Sequence, residues 1–513
     1  MHTPLLCLIF QSNCPSTKGW ERVFRKGRSD FVNLKWDTVS IKKCLVIALC
    51  MGFPILVMML PSAVLPLSGL TWTEQRVLAI FLFAALCWVF EPIPIYATSI
   101  CVLVLELLLI STHGLIWFRQ GPTAQLGTLI KYQALMSTLA SPVILLFLGG
   151  FFLAMAATKY RLDQNLANMM LRPLGQKPHI VMLGCMLITA VFSMFMSNTA
   201  TTAMMLSLMV PILSRLDDDP KGKVAFCLCI PLAANIGGVG TPIGTPPNAI
   251  ALKYLVGPHT ISFGKWMLFS IPYVLAMLLI GWFLLRWLYP VKTEKISLEF
   301  EVQFLQTSKA WIVYLTFAGT ILLWLTEALH GINTYIVALL PVGLFLATEV
   351  ITKEELKRLN WDVLWLVAGG IALGMALEQS GLAQRVIAAI PFGSLSPYWV
   401  ILLAALLATS MATFMSNTAT ANLLLPIVAI LGTNTQSLAP LGGMKMLILC
   451  VAFSSSLGMA LPISTPPNAL AHAMGFIETR DMIKVGLFMG VIGLILLMTM
   501  LWVLNTIGFF AQI

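Results

Sequence analysis

Charge is what this sequence has least of. Asp, Glu, Lys and Arg together make up 10% of its 513 residues, against about 25% in soluble domains. So few charges cannot cover a soluble surface, which excludes an ordinary water-soluble enzyme. With 58% hydrophobic residues and a mean hydropathy of +0.90, the chain has ample apolar surface to bury, so disorder is excluded as well. Metal-ligand spacing is also lacking. The ten cysteines are scattered, mostly through apolar stretches (Cys87, Cys101, Cys185, Cys450), and Cys227 and Cys229 fall on different faces of a helix. They read as small apolar side chains, not as ligands or a disulfide framework. No H-E-x-x-H and no mid-span Asp pair occurs, so an intramembrane enzyme has no catalytic set. Met1 to Cys14 lacks the basic start, long apolar stretch and small-residue site of a cleaved signal peptide.

What is present is a series of apolar runs of membrane length, at about 20 residues per crossing. The fold class they predict is an all-α polytopic membrane protein. The net charge of +10 is explained by Lys and Arg held in cytoplasmic loops, so nucleic acid is not an expected partner. Residues 1–43 form a basic tail (Lys18, Arg22, Arg25, Lys26, Arg28, Lys35, Lys42, Lys43), which places the N-terminus inside. A first span follows within 44–75, its apolar run reaching about residue 66. Residues 76–90 and 92–111 make a pair bent at Glu91-Pro92-Ile93-Pro94, and 141–158 returns inward to Lys159 and Arg161.

The run 179–213 has cytoplasmic-type charge at both ends: Lys177 before it, and Arg215, Lys221 and Lys223 after it. A hairpin that enters and leaves on the cytoplasmic side satisfies both clusters, and non-helical backbone at that depth is tolerated only where it lines a protein cavity. A second long run, 397–431, reads as a hairpin from the outside. On this topology 24 of the 31 basic residues lie inside; Arg76, Arg119, Lys131, Lys265, Arg385 and Lys445 lie outside, and Lys253 sits near an external helix end.

Two pentapeptides occur twice. Ser197-Asn198-Thr199-Ala200-Thr201 recurs as Ser416-Asn417-Thr418-Ala419-Thr420, and Thr245-Pro246-Pro247-Asn248-Ala249 recurs as Thr465-Pro466-Pro467-Asn468-Ala469. Gly149-Gly150 against Gly369-Gly370 keeps the same order at nearly the same offset. The landmarks mark a duplication, 76–289 and 310–508, joined by a cytoplasmic linker at 290–309. One hairpin opens inward and the other outward, so the expected repeat is inverted. Inverted repeats with interrupted helices point to a secondary transporter with its site near the midplane.

The motifs offer hydroxyl and amide groups with no carboxylate. The Thr-Pro-Pro segments break long apolar helices, because proline donates no N–H, and the freed carbonyls suit a hard cation such as Na⁺. Half-helix N-termini suit an anion. No Arg or Lys falls in the motifs, so a co-bound cation must supply much of the counter-charge, which is a physical reason for coupling. Such residues often serve only packing and kinks in membrane helices, but two motifs duplicated in step favour function.

The SNTAT pair with GTPPNA (from Gly244) and STPPNA (from Ser464) resembles the divalent anion/sodium symporter family of di- and tricarboxylate transporters, over about residues 44–510. The resemblance implies about eleven transmembrane helices plus two opposed re-entrant hairpins, a homodimer in the lipid bilayer and an elevator movement. It implies Na⁺-coupled uptake of C4-dicarboxylates, with citrate, sulfate or exchange in some branches. Carried over by motif, a first sodium site uses Ser193, Ser197, Asn198 and the carbonyl of Gly244. A second uses Asn417 with carbonyls around Met415 and Ser464. Substrate carboxylates meet Ser197, Asn198, Thr199, Ser416, Asn417 and Thr418, flanked by Thr245, Pro246, Thr465 and Pro466. One position departs from the pattern: the counterpart of Ser193 is Ala412, with Thr413 about 100° round the helix. This puts the second sodium site and the stoichiometry in question, and leaves a sodium-independent exchanger as the alternative.

The remaining polar residues read plainly. His113, His179, His259, His330 and His472 sit at span ends and are expected to be interfacial. Asp217-Asp218-Asp219 is expected to be a solvated loop. Glu106, Glu327 and Glu378 fall within or near spans, and Glu106 is the one to test, since an intramembrane acid is costly, though pairing between helices explains it equally well. The motifs hold no titratable group, which argues against proton coupling at the tips. The lack of long appended domains suggests a bacterial inner membrane.

Overall fold

The computed structural model describes residues 38–65, 67, 69–216, 218–296, 304–389 and 396–510, and is all-helical among them apart from one isolated bridge between Ser111 and Ile130. Most of the expected basic tail, 1–43, lies outside the described residues. The principal helices are α1 (Thr38–Met59), α2 (Trp72–Phe90), α3 (Ile95–Leu109), α4 (Pro142–Lys159), α5 (Pro178–Phe195), α6 (Asn198–Ser214), α7 (Pro220–Gly238), α8 (Pro246–Leu252) and α9 (Phe263–Leu288). They are followed by α10 (Ser308–Leu325), α11 (Leu339–Ala347), α12 (Trp361–Ser380), α13 (Pro397–Phe414), α14 (Asn417–Asn434), α15 (Gly443–Ser455), α16 (Pro466–Ala473) and α17 (Thr479–Thr506). Eight described helices are long and apolar enough to cross a membrane. Shorter apolar helices, including α3, α6 and α15, accompany them.

Local chemistry sets the boundaries. Thr71 and Glu74 form a reciprocal capping box at the start of α2, and prolines open α4, α5, α7 and α13, where a missing N–H costs nothing. The first apolar run was expected to continue to about residue 66, but the helix stops at Met59, because Pro61 cannot continue the hydrogen-bond ladder. Glu91 caps α2 in the left-handed region (φ 47°), which makes the expected bend before Pro92.

The helices sort into two sets by packing. The first holds both helical hairpins (α5–α6 and α13–α14) with α7–α9 and α15–α17. Its members interlock across the two halves: α6 packs on α16, α14 packs on α8, and α9 packs on α17. The second set frames it, with α2, α3 and α12 packed together and α4 against α10 and α11. The duplicated Gly-Gly pairs sit at frame crossings. A Cβ on Gly369 would lie 2.5 Å from Ser99 Cβ on α3, and one on Gly149 would lie 2.9 Å from Ala338 Cβ beside α11. Only glycine lets these backbones approach so closely.

Candidate functional site

Each SNTAT segment turns the chain between two helices. Met196 and Ser197 are extended, as are Met415 and Ser416, and each serine caps the next helix: Ser197 Oγ accepts from Ala200 N (3.2 Å) and Ser416 Oγ from Ala419 N (3.1 Å). Each TPPNA segment restarts a helix after a broken stretch, with Thr245 and Thr465 at the N-cap and two prolines following. The N-termini of α6, α8, α14 and α16 thereby converge on one cavity of about 410 Å³.

That cavity brings together Ser197, Asn198, Thr199, Gly244, Thr245, Pro246, Ser416, Asn417, Thr418, Ser464, Thr465 and Pro466. Ser193 and Met415 do not line it; both are buried behind the tips. No Lys or Arg lines it among the described residues, and its one charged lining residue is Asp362, in the first turn of α12. The electrostatics favour an anion through helix ends, which carry roughly half a positive charge each. The described residues contain no cluster of three or more His, Cys, Asp or Glu side chains able to hold a metal.

The two halves differ beneath the tips. In the first, Ser193 Oγ lies 2.6 Å from Asn198 Oδ1 and 2.7 Å from the Ala234 carbonyl. A Cβ on Gly238 would fall 2.6 Å from Asn198 Oδ1 and 3.0 Å from the Gly244 carbonyl. Its absence leaves an oxygen-lined cradle that fits a small hard cation. In the second half Ala412 replaces the hydroxyl, and Asn417 Oδ1 is buried without a hydrogen-bond partner. Ser454, at the position matching Ala234, adds a buried hydroxyl. The neighbouring carbonyls show the reverse economy: Thr241 Oγ1 donates to the Met194 carbonyl in one half, and Ser464 Oγ donates to the matching Thr413 carbonyl (2.6 Å) in the other.

Sequence reasoning missed three parts of this arrangement. Asn248 Nδ2 donates to the Thr241 and Val239 carbonyls (2.8 and 3.2 Å), and Asn468 Nδ2 to Met459 and Leu461 (2.8 and 2.9 Å). The motif asparagines are therefore clamps that hold each broken stretch. Asn235 lines the cavity and donates to Thr465 Oγ1 and Asn468 Oδ1 (both 3.1 Å), joining the halves. An asparagine within an apolar helix was the available signal. Phe147 and Phe151 of α4 and Asn360 and Leu366 at α12 also line the wall, and nothing in their local sequence marks them; Gly150, from the duplicated Gly-Gly pair, lines it beside them.

A second cavity, also about 410 Å³, shares Phe151, Met196, Ser197 and Asn360 with the first and lies between α4 and α6. It leads to Lys159, Glu355 and Arg358, at the end that the basic-residue bias assigns to the cytoplasm. Lys159 pairs with Glu355 at 2.5 Å. Burial raises the Glu355 carboxyl, but Lys159 and the Thr352 donors outweigh it and hold it below the usual range. The matching helices of the other half, α12 and α14, are packed directly, with Asn422 Nδ2 donating to the Leu366 carbonyl (3.2 Å).

Two expectations away from the site need correction. Asp219 is buried, not solvated: Oδ1 accepts from Gly222 N (3.0 Å) and Oδ2 from Lys292 N (2.6 Å) and Thr293 N (3.2 Å), so it caps α7 and ties down the linker. Lys253 does not reach out from a helix end; its Nζ donates to the Ile371 carbonyl of α12.

A family model described as citrate transporter matches residues 85–442. The sodium-dependent dicarboxylate transporter SdcS of Staphylococcus saprophyticus is 28% identical over 470 residues, covering 83% of this chain and 85% of that protein. An uncharacterised transporter of Schizosaccharomyces pombe is 30% identical over 440 residues, 83% of this chain, and the chain spans about half (49%) of its length. The crystal structure of the Alcanivorax borkumensis YdaH transporter shares the fold, with a TM-score of 0.53 at 15% identity, covering 74% of this chain and 88% of that one.

Proposed function

The chain belongs to the citrate transporter family, of divalent anion/sodium symporter type, and we propose that it is a Na⁺-coupled importer of C4-dicarboxylates such as succinate, malate and fumarate. The observation that carries this reading is the convergence of four half-helix N-termini on a cavity whose described lining has no Lys or Arg. Such a site attracts a carboxylate through the backbone N–H groups that open α6 and α14, the dipole ends of α8 and α16, and the Ser, Asn and Thr donors of the tips, yet under-compensates a dianion. Sodium in the Ser193–Asn198–Gly244 cradle, and a second ion at Asn417, supply the balance. Anion and cation then stabilise each other, which is the thermodynamic content of coupling. The SdcS relative carries sodium dependence and dicarboxylates in its name.

For movement, the hairpin set travels as one body against the frame α1–α4 and α10–α12, in an elevator manner, with homodimeric frames in the bilayer. The conformation described opens toward Lys159 and Arg358 through the gap between α4 and α6, while α12 and α14 are closed together. Exchanging these two arrangements between inverted halves opens the opposite side. Exchange of dicarboxylate or citrate without sodium is the second reading, and Ala412 favours it by weakening the second cation site. The test is uptake of labelled succinate into proteoliposomes. Uptake that needs an inward Na⁺ gradient and is competed by malate supports symport. Uptake that ignores Na⁺ but needs internal dicarboxylate or citrate supports exchange.

A further inference from the structure

Away from both cavities, a set of ionisable groups is enclosed where α8 meets the frame. Glu106 of α3 is fully buried, and neither carboxylate oxygen has a hydrogen-bond partner. The cation within electrostatic reach of it is Lys253, the residue that ends α8. Among the described residues no ion-pair contact joins the two, because the Lys253 ammonium is engaged by the Ile371 carbonyl of α12 at 2.5 Å and lies 4.9 Å over the Tyr254 ring. The Tyr254 hydroxyl is itself buried and unpartnered. Gly374 makes the room: a Cβ there would stand 2.7 Å from Lys253 Nζ.

The elements packed on α3 carry other charged or titratable groups, and Glu74 of α2 pairs with Arg385 at 3.0 Å. Glu378 of α12 faces Lys253 from the exposed end of that helix. Arg76 of α2 is committed to the Leu109 and Phe118 carbonyls. Tyr132, from the short helix Tyr132–Ser137 that also packs on α3, has its ring against His113. Lys253 is therefore the charge that makes an ionised Glu106 tolerable, since a lone buried carboxylate is very costly.

Lys253 and Glu106 also belong to different bodies. Lys253 lies seven residues after Pro246, about 10 Å along the helix that begins at the cavity. Helix α8 packs with the hairpin set on α14 and α15, and Glu106 is on the frame. We propose that Glu106 is an intramembrane proton-binding site, filled when Lys253 withdraws with α8 and emptied when Lys253 returns. The step is simple: with the ammonium gone, a hydronium ion gives its proton to a Glu106 carboxylate oxygen and leaves water, while Lys253 keeps its own proton. Return of Lys253 reverses the transfer. This rests on the proposed movement of the hairpin body, and it makes acid pH favour the separated position.

The full-length chain in nanodiscs tests the site without transport, by infrared titration of the protonated-carboxyl stretch. Lys253→Met mimics withdrawal, and should carry a protonated-carboxyl band at pH 7 that Glu106→Gln/Lys253→Met lacks; Lys253→Gln serves if the Met variant does not fold. A band unaffected by Glu106→Gln, or none in either Lys253 variant, overturns the proposal. In proteoliposomes, Lys253→Met should lose about tenfold in succinate uptake at pH 8, regain part of it at pH 6, and recover to within about threefold of wild type when Glu106→Gln is added. No recovery in the double variant also overturns it. If wild-type protein takes up no dicarboxylate, the transport reading fails, and the infrared band still decides the proton site.

Discussion

The Ser193 hydroxyl lies 2.6 Å from Asn198 Oδ1, whereas the matching pair in the other half, Ala412 and Asn417, leaves Asn417 Oδ1 buried and unpartnered. Two copies of one motif thus present the same amide oxygen in two conditions, one fixed by a hydroxyl and one not. If both amides ligate sodium, the first is oriented before the ion arrives and the second is oriented by it.

Removing the Ser193 hydroxyl should therefore weaken sodium binding at the first site. Ser193→Ala is expected to raise the half-saturating Na⁺ concentration of uptake about tenfold, the equivalent of one hydrogen bond of about 1.4 kcal/mol. Ala412→Ser should lower it. Unchanged sodium dependence in both variants would remove the hydroxyl from the account.

The asparagine clamps make a separate prediction about stability. Asn248→Ala and Asn468→Ala each strip the donor from two or more carbonyls in a broken stretch. Each should cost about 1–3 kcal/mol and lower the melting temperature of the purified chain by several degrees. A melting temperature equal to wild type would show that the stretches hold themselves.

Asp219 gives a pH signature outside the membrane. Burial raises its carboxyl, but the amides of Gly222, Lys292 and Thr293 and the Lys292 charge outweigh that and hold it below the usual range. A depressed folded value means the stabilisation is present above the unfolded value, about 3.9, and is lost as pH falls through the folded one. Asp219→Asn loses the charge that accepts three backbone N–H bonds and should be less stable than wild type by about 1 kcal/mol at pH 7, with the gap closing below pH 4. A gap that widens in acid would contradict the assignment.

Orientation can be read at Ser437, an exposed residue just after α14. A cysteine placed there should react with a membrane-impermeant thiol reagent added to intact cells. Reaction only after the cells are opened would reverse the sidedness assigned to both hairpins.

Much of the helical layout was legible because apolar runs and proline breaks are local signals. The run expected at 141–158 is helix Pro142–Lys159, and the SNTAT and TPPNA segments, duplicated in step, mark where helices stop and restart. What sequence could not give is which helix faces which. Lys253 read as an external end because its neighbours, Ile371 and Gly374, lie more than a hundred residues away. Asp219 read as solvated because its amide partners come from the linker after α9. Asn235 is one polar residue in an apolar helix, and its importance rests on Thr465 and Asn468, across the repeat.

The central claim is that cation and anion are bound together at the converging helix ends. The most direct measurement is equilibrium binding of labelled succinate to the purified chain, with Na⁺ or with K⁺ at equal ionic strength. The account predicts binding at least about tenfold tighter in Na⁺, a coupling of about 1.4 kcal/mol or more, lost in Asn198→Ala. Equal affinity in the two salts, with succinate still displaced by malate, would contradict it.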